Sequence, residues 1–146
     1  MRVPVKRYLN KLIVLDKRVQ EKQEERARLF EAAKGTSVGE ADPNKVQASH
    51  GNRAENAMIR YADISKEVDL VIARYMTEMD RVTNDIHQLN DDRYERLLFL
   101  RYVPEDHRVH TLEEVARLMF YSYDYIVRLH GQALNEFRRI HADKVY

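Results

Sequence analysis

Between Tyr121 and Arg139 the chain carries tyrosine, aspartate, valine, glutamine and arginine side chains at spacings that a helix would gather on one side. If Ile126, Leu129, Ala133 and Phe137 turn inward, Tyr123, Asp124, Val127, Arg128 and Gly131 turn outward. These residue types suit the edges of base pairs. A guanidinium pairs bidentately with O6 and N7 of guanine, worth roughly 1–3 kcal/mol of discrimination, and a carboxylate accepts from cytosine N4. Valine can touch a thymine methyl, and tyrosine hydroxyls reach phosphates. Arg128 is therefore the principal candidate reader, with Tyr123, Asp124 and Val127 beside it. Tyr121, Gln132, Arg138 and Arg139 complete the set expected to touch double-stranded DNA, and Lys144 is a further candidate for phosphate or a protein partner.

Some of these residues admit a plainer reading. Tyr121 and Tyr125 can roof a core, and Asp124 can act on the helix dipole alone. Gly131 within a helix costs about 1 kcal/mol relative to alanine, which close approach of DNA backbone or of another helix would explain. His130 fits a phosphate donor or a structural role equally well.

Two short helices must position this face. Thr111 and Glu114 form a T-x-x-E capping box, and Leu112, Val115, Ala116 and Met119 follow at helical spacing. Phe120, Tyr121 and Ser122 break the pattern; Ser122 is a suitable N-cap for a second helix, with Asp124 in its first turn. Two amphipathic helices joined so closely predict a helix-turn-helix, whose second helix enters the major groove. Ahead of them a helix over 92–102, capped by Asp91 and ended by Pro104, offers Leu97, Leu98, Leu100 and Tyr102 as packing residues.

The first 90 residues read differently. Val5, Tyr8, Leu12, Leu15, Val19 and Leu29 follow a heptad seam through one long helix over 5–33, interrupted by Lys22 and Arg26. Its first half carries Arg2, Lys6, Arg7, Lys11, Lys17 and Arg18 against Asp16, which reads as a solvated face or a DNA-contacting one. Residues 34–51 hold three of the four glycines and predict a linker. Asn52 and Glu55 predict the cap of a second long helix, with Met58 and Tyr61 on its apolar face. Val68, Ile72, Tyr75, Met79, Val82, Ile86 and Leu89 continue that seam. About 38 helical residues would span roughly 57 Å, more than a small domain covers. The two helices must pair as an antiparallel hairpin, or with another copy, because a lone apolar stripe is unstable. A homodimer or higher oligomer is expected. The expected architecture is all-α: a coiled-coil-like region over 1–90 and a helix-turn-helix domain over 91–146.

The segments 96–103 (RLLFLRYV), 112–119 (LEEVARLM) and 122–139 (SYDYIVRLHGQALNEFRR) resemble the fourth region of bacterial sigma factors. The run VQASHGNRAENAMIRYADI (46–64), the later LRYV and the H-G-x-A-L of 130–134 resemble the ArpU- and RinA-type late-gene regulators of phages and prophages. This second resemblance covers most of residues 5–141. It implies a phage activator of packaging and structural genes that reads a promoter-proximal site and touches RNA polymerase. The sigma resemblance places Tyr123, Asp124, Val127 and Arg128 at base-contacting positions. Arginines are usual where Tyr123, Tyr125 and Val127 stand, so it implies the fold and not the usual promoter preference.

Composition excludes other classes and weakens this one. The chain of 146 residues has no cysteine, so disulfides and thiolate metal sites are absent. No long apolar run or signal-peptide pattern occurs, which predicts a cytoplasmic protein. No phosphate loop, zinc-protease helix or serine nucleophile elbow occurs, so neither an enzyme nor a cofactor is expected. His107 and His110 form an H-x-x-H with Asp106 nearby; a metal site would need further ligands from elsewhere, and no metal is expected. Residues 91–146 hold 9 Lys/Arg against 10 Asp/Glu, a net of −1. DNA affinity derives largely from phosphate neutralisation, so dimerisation or a polymerase partner would have to add contacts. Two other functions fit the pattern: a small terminase subunit that recognises DNA for packaging, and a polymerase- or sigma-binding module without DNA readout.

Overall fold

The computed structural model describes residues 1–34 and 47–146, of which 47–51 by backbone alone. Among them the chain forms five α-helices: α1 (Val5–Ala33), α2 (Gln47–His87), α3 (Asp92–Tyr102), α4 (Leu112–Met119) and α5 (Tyr123–Ile140). The protein is all-helical, and α1 and α2 pack together as a long pair. Most of the expected linker, residues 35–46, lies outside the described residues. The start expected for α2 is wrong. The helix begins at Gln47, so Asn52 and Glu55 lie within it and Asn52 caps nothing. A single glycine at 51 costs too little to stop a helix that tertiary packing favours.

Two compact units divide the chain. The first comprises residues 1–17 and 74–146. Here α1 runs antiparallel to α2, with the Tyr8 hydroxyl donating to Asp85 and Lys11 pairing with Glu78 at 2.8 Å. Val5, Tyr8, Leu9 and Leu12 share one core with Val82, Ile86, Leu97, Leu98, Val115, Ile126, Leu129 and Phe137. Burying each large apolar side chain contributes about 1.5–3 kcal/mol. The core therefore joins the base of the hairpin to the three short helices. A parallel bridge between Val3 and Val145 ties the chain ends, and the Tyr8 and Phe137 rings lie 5.8 Å apart.

The second unit comprises residues 18–73. Val19, Ala57, Ile64 and Val68 are buried in it, and the Phe30 and Tyr61 rings meet at 5.6 Å. Lys22, which breaks the seam, pairs with Glu67 at 2.9 Å. Met58 departs from the sequence expectation: it is exposed, and Ala57 takes the buried position.

The short helices start where their cap residues indicate. Asp91 accepts from the Arg93 amide, Thr111 from Glu114 and Ser122 from Tyr125. Each side chain satisfies a donor that the first helical turn leaves open.

Candidate nucleic-acid interface

Helix α4 ends in a Schellman-type cap. The Phe120 amide donates to Arg117 O at 3.3 Å and the Tyr121 amide to Ala116 O at 3.0 Å. This closure puts Phe120 at φ 60°, ψ 39°, a left-handed position normally given to glycine. Ser122 then starts α5, whose Ile126, Leu129, Ala133, Leu134 and Phe137 are buried. The turn between the two helices is three residues, Phe120–Ser122, as a helix-turn-helix requires.

The opposite face of α5 is open. Tyr123, Asp124, Val127, Arg128, Gly131 and Gln132 are all exposed, and Tyr123 retains 49% of its surface. Arg128 makes no hydrogen bond or ion pair among the described residues, so its five donors face solvent. Gln132 sits at the rim, 3.4 Å from the Tyr94 hydroxyl. A Cβ added at Gly131 would meet no atom within 4 Å, so no helix of the described chain requires the glycine. The surface there admits another molecule's backbone.

Three expected contacts are placed elsewhere. Arg138 and Arg139 are exposed but lie near the far end of α5, roughly 22 Å from Tyr123 at 1.5 Å per residue. Arg138 donates to Asn135 at 2.7 Å and Arg139 Nε to Glu136 at 3.1 Å, so both also serve the helix surface. Lys144 is bound to Asp85 at 2.9 Å, which takes it out of the candidate face. The Tyr121 and Tyr125 rings lie 4.6 Å apart, tilted by 45°. Tyr125 is half-buried and its hydroxyl accepts from Arg93 at 2.5 Å, which supports the roofing role for this residue.

The histidines differ in environment. His130 is buried with Nε2 2.7 Å from the Tyr102 hydroxyl. Burial, with the nearby positive charges of Lys6 and Arg101, pushes its pKa down to about 4. Burial and the contact with Tyr102 on α3 support the structural reading of His130. His107 turns to Asp16 at 3.1 Å and His110 to Glu114 at 2.9 Å, so the H-x-x-H pair serves two different carboxylates. Among the described residues no group of three or more His, Asp or Glu is arranged to hold a metal ion.

Phe120 is the residue that sequence patterning missed. It keeps 93% of its surface, with Leu118, Tyr121, Tyr123 and Val127 also exposed around the turn. The pattern break at 120–122 was the available signal, but spacing alone does not say that an aromatic occupies the left-handed position.

Neither family models, nor curated proteins, nor solved structures give a match to this chain.

Proposed function

We propose that the chain is a sequence-specific DNA-binding transcriptional regulator that reads a promoter-proximal site with α5. The carrying observation is the unpaired Arg128 on a helix face left open by the fold, beside Tyr123, Asp124 and Val127. A fork of free guanidinium donors matches guanine O6 and N7 without first breaking an internal ion pair. On the resemblance to ArpU- and RinA-type proteins, the regulated genes are late phage genes and the protein activates them. A homodimer would supply two half-sites and double the phosphate contacts.

The test is selection of bound fragments from a phage and host genomic library by the purified full-length protein at low and moderate salt. Enrichment of one intergenic region by the wild type, lost with Arg128→Ala, supports the reading. Recovery of no preferred sequence overturns it.

A second reading draws on the apolar turn. Phe120, Leu118 and Tyr121 are exposed together, and residues 91–146 carry a net charge of −1. Aromatic anchors on a weakly charged surface are typical of protein interfaces. In this reading the turn docks on RNA polymerase or a sigma factor, and Phe120→Ala rather than Arg128→Ala abolishes function.

A further inference from the structure

We infer that the outer face of α2 over residues 59–73, within the second unit, is the contact surface for a second copy of this chain, paired antiparallel about a two-fold axis. The inner stripe of the helix is already used. Ala57, Ile64 and Val68 are buried there, and α1 packs on α2. On the opposite side Ile59, Ala62, Lys66, Asp69 and Ala73 recur at alternating spacings of three and four, as in a heptad seam, and all five are exposed. Ile59 keeps 56% of its surface, and Leu70, which borders the stripe, keeps 71%. The helix therefore carries apolar side chains on two opposite faces, of which α1 covers one.

The outer stripe is complementary to itself. When Ala62 of one copy lies opposite Ala73 of an antiparallel second copy, Lys66 lies opposite Asp69, because each is four positions from its alanine. The two-fold axis repeats the match, so one register yields two alanine layers and two ion pairs. Neither Lys66 nor Asp69 makes a hydrogen bond or ion pair among the described residues, so neither charge is spent within the chain. A parallel pair in register would instead set Lys66 against Lys66 and Asp69 against Asp69, which repel. The alanine layers allow the two helices to approach closely, and a polar pair inside a heptad seam fixes register at some cost in stability. A foreign helix would need the same charges at the same spacing, whereas a second copy supplies them. This surface is independent of what α5 binds.

The experiment is sedimentation equilibrium of the full-length wild type, Lys66→Glu, Asp69→Lys and the double variant, with circular dichroism melts to verify folding. The wild type is expected to dimerise. Each single variant sets like charges against each other twice and is expected to raise the dissociation constant about tenfold or more. The double variant, and an equimolar mixture of the two single variants, restore opposite charges and are expected to return to the wild-type constant. The chain has no cysteine, so Ala62→Cys and Ala73→Cys supply a second readout. Mixed and oxidised, the two are expected to form a crosslinked heterodimer, while neither crosslinks to itself. A wild type that stays monomeric at every concentration overturns the inference and leaves the stripe to a foreign helix. A dimer indifferent to the folded charge variants, or self-crosslinking by Ala62→Cys, overturns it by placing the contact on another face or in a parallel pair.

Discussion

The Tyr102 hydroxyl and His130 Nε2 lie 2.7 Å apart in the core, joining α3 to α5 through a histidine held neutral. The ordinary imidazole value is 6.5, and burial lowers it here to about 4. Between those values the unfolded chain binds more protons than the folded one, so stability falls as pH drops through that window and is fully present above 6.5. His130→Gln keeps an amide within reach of Tyr102 but does not titrate. Its melting temperature is expected to fall less than that of wild type between pH 7 and 5. Parallel profiles for the two proteins would refute the assignment.

Asp85 is the centre of the second polar network. Its side chain is 4% exposed, accepts from Tyr8 and pairs with Lys144, which is 37% exposed. His141 Nε2 lies 2.9 Å from the Asp85 carbonyl oxygen. The network ties α1, α2 and the C-terminal residues together, and its two ends are unequal. Lys144→Ala leaves the buried Asp85 carboxylate without its cation and is expected to cost about 3–5 kcal/mol. Asp85→Ala strands the Tyr8 hydroxyl in the core and is expected to cost about 1–3 kcal/mol. Urea denaturation of the two variants measures the difference. Equal costs would show that solvent or another cation reaches the Asp85 carboxylate once Lys144 is gone.

How far the sequence foretold this structure depends on the range of the interaction. Asp91, Thr111 and Ser122 cap the helices they were expected to cap, because each acts on backbone two or three residues away. The buried face of α5 also follows from spacing, since Ile126, Leu129, Ala133 and Phe137 recur at helical intervals. The same local logic failed at Asn52, where a good cap residue lies inside a helix that continues through it. The seams of α1 and α2 announced apolar faces but not their partners. That Val5, Leu9 and Leu12 share a core with Phe137 is a long-range choice, invisible to periodicity. For the candidate face, the exposure of Tyr123, Asp124, Val127 and Arg128 was legible, whereas the left-handed, exposed Phe120 at its edge required the fold.

Phe120 occupies a backbone conformation that costs a side-chain-bearing residue about 1–2 kcal/mol, and it is almost wholly exposed. Little burial is lost on removing it, so Phe120→Gly relieves the strain. The greater freedom of glycine in the unfolded chain returns roughly 0.5–1 kcal/mol of that gain. The variant is expected to be as stable as wild type or up to about 1 kcal/mol more stable. A thermal melt tests this, and clear destabilisation would show that the ring packs in solution. A stabilised variant that has lost transcriptional activity would mark Phe120 as a docking residue retained at the expense of the fold.

Gly131 allows stability and recognition to be separated on α5. Nothing lies within 4 Å of a Cβ placed there, so alanine fits without displacing any described neighbour. Alanine in a helix interior is favoured over glycine by about 1 kcal/mol. Gly131→Ala is therefore expected to raise the melting temperature. On the DNA-binding reading the missing Cβ lets a phosphate or base approach the helix backbone beside Arg128. The same variant is then expected to bind the selected duplex more weakly while remaining the more stable protein. Opposite signs in the melt and the binding titration would locate the ligand at this stripe of α5. A variant that is more stable and binds as well as wild type would move the duplex off Gly131, toward the Tyr123 end of the helix.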